Sequence, residues 1–220
     1  MSDIRSYSRN QALVEQRRLE LLHTAARVFA RNGYHRTTTR QLADACGMGS
    51  GTMYHYLGSK SDILRMMLDY SVVHIYGASE SFVETLRPAD PAYALAETIR
   101  YLSRLLAEYH DLHNVLNQEM VHLQSGDQEL FLNLALRRVT MFEKLLNDGV
   151  KAGVFKVSDV SHAAQVISYL VTMWVRRYLL LKGRYTLEQH ADQLTLEILR
   201  MLGVPDENVR AEGKAITLCD

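Results

Sequence analysis

Two reciprocal capping signals bracket a stretch of chain too short for anything but small helices. Thr38 and Gln41 form one T-x-x-Q box, and Ser59 and Asp62 form a second of the same kind. In such a box each side chain satisfies the free backbone N–H of the other residue, so a helix begins one position later. The first helix therefore starts at Thr39 and carries Leu42 and Ala45 inward; another starts at Lys60. Between them, Cys46-Gly47-Met48-Gly49 supplies a tight turn in which Gly47 is free to take positive φ. Residues 50–57 leave room for a helix of barely two turns. Two short helices across a glycine turn predict a helix-turn-helix, whose second member suits the DNA major groove.

The same stretch resembles the DNA-binding domain of the TetR family of bacterial transcriptional regulators. The family run is approximately A-G-V-S-x-G-T-L-Y-x-H-F-x-S-K-E-x-L. Gly47, Gly51, Thr52, Tyr54, Ser59, Lys60 and Leu64 fall in register, with conservative changes at Met48, Met53 and Ile63. Gly49 stands for the usual Ser cap, Tyr56 for His, Leu57 for Phe and Ser61 for Glu. Gly49 offers no side-chain acceptor to the free N–H groups of the helix it opens, so that helix start is expected to be looser.

The candidate DNA-binding residues are Thr39, Arg40, Ser50, Gly51, Thr52, Tyr54, His55 and Lys60. Thr39 and Arg40 open the first motif helix, where unpaired N–H groups and a guanidinium attract phosphate. Ser50 opens the second helix, Thr52 and His55 sit where side chains reach base edges, and Gly51 lets the helix approach closely. The resemblance implies backbone contacts for Tyr54 and Lys60.

Charge distribution supports that reading, although the chain is neutral overall. Residues 1–65 hold ten Lys+Arg against five Asp+Glu, and the remainder carries the compensating negative excess. A basic first part in a neutral chain is expected where only that part meets phosphate. No run of about eighteen uncharged apolar residues suggests a membrane span. Cys46 and Cys219, far apart in sequence, suit a reducing cytoplasm better than a disulfide framework.

The rest of the chain reads as helix throughout, giving an all-α fold. Residues 1–65 are assigned to a three-helix helix-turn-helix domain, 66–203 to a helical effector-binding and dimerisation domain, and 204–220 to a tail. Residues 1–10, with Arg5 and Arg9, read as an arm ahead of a helix over 11–31 that carries Leu19, Leu22, Ala26 and Phe29 inward and stops at Gly33. The helix from Lys60 is expected to reach about Thr85 with an interruption at Gly77. Asp90 caps a helix with Pro91 at its first position; further helices are expected over 111–123, from an Asp127 cap to Ala152, from Ser158 to Leu181, and from a Thr186/Gln189 box to Gly203.

Residues 166–181, VISYLVTMWVRRYLLL, are apolar almost all round, so the helix they form requires burial from two directions. A second copy of the chain supplies the other side, with Leu187, Leu194, Leu196 and Leu199 of the next helix contributing; the resemblance implies a four-helix homodimer interface. Large adaptable side chains with polar groups interspersed predict an effector cavity. Its candidate lining is Met67, Tyr70, Leu106, Tyr109, Gln118, His122, Arg138, Phe142, Trp174 and Arg177. The run HDLHNVLNQEMVHL with the later MWVRRYLLLKGRYTLEQ is similar to regulators that sense acyl-CoA thioesters, which implies an acyl-CoA effector.

The reading is thus a cytoplasmic, homodimeric repressor released from palindromic double-stranded operator DNA by a small apolar effector, with no cofactor and no membrane partner. The alternative is a helical enzyme, or a metal-dependent regulator using His110, His113, Glu119 and His122. Glu119 and His122 share a helix face, but no second Glu-x-x-His exists to complete a two-metal bundle site, so no metal is expected. No nucleophile elbow, phosphate loop or Cys-x-x-Cys motif favours an enzyme.

Overall fold

The computed structural model of the chain describes residues 2–86 and 89–205, of which all regular structure is helical. The helices are α1 (Ser2–Asn32), α2 (Thr39–Ala45), α3 (Ser50–Leu57), α4 (Lys60–Ser71), α5 (Ala78–Thr85), α6 (Pro91–Glu108), α7 (His110–Glu119) and α8 (Ser125–Lys151). They continue with α9 (Val160–Leu170), α10 (Met173–Arg176), α11 (Tyr178–Leu181) and α12 (Leu187–Met201). The expected 204–220 tail lies outside the described residues beyond its first two. The described residues divide into two compact units: one takes those up to Ser71 with Asp111–Phe131, and the other takes those of Val72–His110 and from Leu132 to Pro205. By contacts, the whole of α4 and a later segment around α7 group with the first unit.

In the first unit α1, α2, α3 and α4 close a small core in which Leu22, Ala26, Phe29, Leu42, Met53, Ile63 and Met67 are buried. Both capping boxes form. Gln41 N–H donates to Thr38 Oγ1 at 3.2 Å while Thr38 N–H donates to Gln41 Oε1 at 2.8 Å. Asp62 and Ser59 repeat the exchange, and these hydrogen bonds hold the Asp62 carboxyl below its usual range. Gly47 takes φ +66°, which lets the chain reverse between α2 and α3. Residues 2–10 are not an arm but the first turns of α1; they contain no Pro or Gly to stop the helix.

The second unit is centred on α6, whose Leu95, Ala96, Ile99, Leu102 and Leu106 are buried. Asp90 caps it as expected, accepting from Ala92 and Tyr93 N–H, with Pro91 at its first position. The helix begun at α4 is interrupted by a π segment, Val72–Gly77, ending at the glycine that the sequence marks. Two other helix starts shift. Asp127 is no cap: α8 begins at Ser125, and the Asp127 carboxylate is taken by Arg65 Nη1. Asp159, not Ser158, caps α9, accepting from His162 N–H at 3.0 Å.

The helix expected over 158–181 breaks after α9 into two short pieces. Thr172 lies at the break, where its hydroxyl donates to the Tyr169 carbonyl at 2.7 Å and so competes with the regular helical bond. On α12, Leu194 and Leu199 are buried, and this helix packs mainly against α6. Those two leucines therefore serve the chain's own core and not a surface for a second copy.

Candidate nucleic-acid interface and effector site

Helix α3 divides its side chains cleanly. Met53 and Leu57, four residues apart, are buried in the core of the first unit, and Ser50, Gly51, Thr52, Tyr54 and His55 are exposed. Tyr54 is 61% exposed, an unusual position for a large ring with no covering partner in the unit. Gly49 precedes α3 without a side-chain cap, as its sequence predicts. A Cβ placed on Gly51 would meet nothing within 4 Å, so the α3 surface is open there. Thr39 and Arg40 are exposed in the first turn of α2. Seven of the eight predicted DNA-facing residues therefore lie on the open surface of one unit.

Lys60 is the exception. It is half-buried, with Nζ 3.5 Å from the His35 carbonyl and 4.5 Å from the centroid of the Tyr34 ring. Burial lowers the Lys60 pKa, partly offset by the carboxylate of Glu119, and burial raises that of Tyr34. Tyr34 in turn rests edge-on against Phe29, 5.0 Å between centroids. Sequence reasoning missed Tyr34; its spacing from Lys60 carries no local signal, and only the folded turn 33–38 brings the two together.

The candidate effector residues are spread over both units. Met67, Tyr70, Gln118 and His122 belong to the first; Met67 is buried, Tyr70 meets His23 edge-on, and Gln118 and His122 are exposed. Leu106, Tyr109, Arg138, Phe142, Trp174 and Arg177 belong to the second. There Leu106 and Phe142 are core, Arg177 is exposed, and Trp174 is buried against His190 with ring centroids 5.5 Å apart.

Arg138 meets a cavity. It lines a small, partly open space with Ile75, Tyr76, Ser79, Leu102 and Met141. Its Nε donates to Ser168 Oγ at 2.9 Å, its guanidinium stands 6.0 Å from the Tyr76 ring centroid, and its buried Nη1 has no hydrogen-bond acceptor. A wider groove of about 760 Å³ runs between α5 and α8, bounded by Glu80, Val83, Leu136 and Lys144 and crossed by the paired Glu80 and Arg137. The sequence offered Arg138 only as one of several arginines in apolar helices.

Of the four residues in the metal alternative, Glu119 and His122 come together, joined by His35 and not by His110 or His113. His110 instead lies against Tyr178, and His113 is buried. Among the described residues no helix is long and apolar enough to cross a membrane.

Comparison with known proteins agrees with this geometry. Residues 21–67 match the model described as bacterial regulatory proteins, tetR family, and residues 88–202 match the tetracyclin repressor-like C-terminal domain. The HTH-type transcriptional repressor KstR2 of Rhodococcus jostii is 28% identical over 193 residues, covering 86% of this chain and 92% of that protein. The structure of the ketosteroid transcriptional regulator KstR2 of Mycobacterium tuberculosis is similar with a TM-score of 0.70 at 26% identity, over 84% of this chain and 94% of that one. AibR, solved in complex with isovaleryl coenzyme A and operator DNA, shares the fold with a TM-score of 0.71 at 23% identity, over 81% and 96% of the two chains. The chain belongs to the TetR family of bacterial regulatory proteins.

Proposed function

We propose that this chain is a cytoplasmic, homodimeric transcriptional repressor, without enzymatic activity, that leaves its DNA operator when a CoA thioester binds. The observation that carries the DNA part is the split of α3 into a buried Met53/Leu57 edge and an open Ser50–Thr52–Tyr54–His55 surface. Thr52 and His55 read base edges, and Thr39, Arg40, Tyr54 and Lys60 position the unit on phosphates.

A second copy of the chain is supported by the apolar side chains left uncovered around α9 to α11, where Tyr169 and Leu180 are each 62% exposed. Two copies present two recognition helices to a palindromic site with half-sites about 34–36 Å apart. The effector part rests on Arg138. A buried guanidinium nitrogen without an acceptor, beside apolar Ile75, Leu102 and Met141, suits a ligand with one anionic or carbonyl group and an apolar tail. A CoA thioester is the class proposed, in keeping with the isovaleryl coenzyme A bound by AibR, which shares the fold. Release requires that the thioester bind the DNA-free arrangement more tightly, so DNA must weaken thioester binding by the same factor.

The test is fluorescence anisotropy on a duplex selected from random-sequence DNA, titrated with acyl-CoAs of increasing chain length, free CoA and free fatty acids. Release by a thioester, with weaker or no release by either half alone, is the expected result. If every thioester leaves the affinity unchanged, the effector reading fails while the DNA reading stands.

A further inference from the structure

The turn before α2 and the end of α7 bring three metal-ligand groups to one point in the first unit. His35, Glu119 and His122 each offer one nitrogen or oxygen, and the three atoms lie within 4.8 Å of one another. Sequence spacing shows only the last two. The third arrives because residues 33–38 fold back from α1 toward α2.

Glu119 is the group that needs a partner. It is only 8% exposed, and its Oε2 accepts no hydrogen bond. His35 Nε2 stands 3.1 Å from that oxygen, within ion-pair distance but outside hydrogen-bonding geometry. A buried carboxylate oxygen without a donor is costly, and a cation is one way to remove the cost. Lys60 is the nearby ammonium, yet its Nζ is on the His35 carbonyl and the Tyr34 ring.

The two imidazoles are exposed and lie edge to face, 4.7 Å between centroids. The His35 ring also packs edge-on against Tyr34, 5.1 Å between centroids. A tetrahedral zinc shell, with ligand bonds of about 2.0–2.1 Å, needs its donor atoms roughly 3.4 Å apart. The His35 Nε2–Glu119 Oε2 distance of 3.1 Å is already near that spacing, and binding would require the wider pairs, within 4.8 Å, to draw together. Two imidazoles with one carboxylate and an open fourth position form a donor set that zinc-class ions take.

We propose that His35, Glu119 and His122 bind one zinc-class divalent cation per chain, with water in the fourth position. The ion would tie the turn that precedes α2 to the end of α7, fixing the loop on which Tyr34 and Lys60 are placed. That the ion thereby tunes DNA affinity rests on the operator reading; the binding itself does not.

The experiment uses tag-free protein stripped with a chelator and titrated with Zn²⁺ by calorimetry, with Co²⁺ absorption as a check on tetrahedral coordination. One equivalent per chain is expected, with a raised melting temperature. His35→Ala and His122→Ala, both at exposed positions, are each expected to weaken binding at least about tenfold. Glu119→Gln should do the same, and His162→Ala, on the exposed start of α9, should change nothing. The proposal is overturned if wild type binds no stoichiometric ion at micromolar concentration, or if the two histidine variants bind as wild type does.

Discussion

The Lys60 ammonium lies 4.5 Å from the centroid of the Tyr34 ring, so a residue from the turn after α1 sets the direction of the first side chain of α4. The pairing is a cation–π contact that also links to the His35 carbonyl. It holds a positive charge at the edge of the α2–α3 surface instead of leaving it to swing in solvent.

Lys60→Ala is accordingly expected to weaken binding to all duplexes by a similar factor and to reduce the salt slope of log K by about one. Tyr34→Ala should produce a smaller uniform loss with the slope kept, because the charge remains but is no longer held. Salt-dependent anisotropy on matched and unmatched duplexes separates the two outcomes.

Two glycines in helices should respond to alanine with opposite signs. Gly51→Ala in α3 meets open space, so it is expected to stabilise the fold by about 0.5–1 kcal/mol through helix propensity. If α3 meets DNA as proposed, the same methyl should also weaken operator binding. Gly149→Ala in α8 gains the same propensity but drives its methyl into the Phe155 ring, which is buried and cannot swing away. A net loss of about 1–3 kcal/mol is expected, read by urea unfolding.

Arg100 and Arg104 sit one turn apart on α6, and each pairs with an acid on α12. Their energetic weights should differ greatly. Arg100 is 1% exposed and is held by Glu97 and Asp192, so Asp192→Ala leaves a buried guanidinium half-paired. That change should cost about 2–3 kcal/mol. Arg104 and Glu188 make a bidentate pair, but both are close to half-exposed, so Glu188→Ala should cost about 1 kcal/mol or less despite the better geometry. Denaturation midpoints of the two variants decide it.

His190 makes stability pH-dependent. Its imidazole is buried beside Trp174 and its Nε2 has no partner; burial lowers its pKa, with Glu197 pulling the other way. The unfolded chain, titrating near 6.5, therefore takes up this proton first as pH falls. The folded state is favoured fully above that value and loses ground below it. Urea midpoints should decline between about pH 7.5 and 5.5, and the decline should be shallower in His190→Leu. An unchanged slope in that variant would assign the effect to other groups.

The local features were legible because their causes are local. Thr38 with Gln41, and Ser59 with Asp62, cap helices through atoms three residues apart, and Gly47 reverses the chain through its own backbone. Buried and open positions on α3 follow from helical spacing alone. Where a side chain has a distant partner the reading failed: Asp127 looks like a cap but serves Arg65. One local cause was also missed, since the helix over 158–181 breaks where the Thr172 hydroxyl turns onto the Tyr169 carbonyl. Tyr34 and His35 carry no motif; their partners Lys60 and Glu119 reach them only through the fold. Among the effector residues, size and polarity along a helix could nominate Arg138 but could not separate it from Arg177, which lies exposed.

The central claim is that the α2–α3 surface reads a palindromic duplex. The most direct measurement is selection of bound duplexes from a random-sequence library, run in parallel with wild type and Tyr54→Ala. The account predicts that wild type enriches an inverted repeat and that Tyr54→Ala, equally folded and equally dimeric, enriches none. Wild-type protein that is folded and dimeric yet enriches no sequence, or a Tyr54→Ala variant that enriches the same repeat, would contradict it.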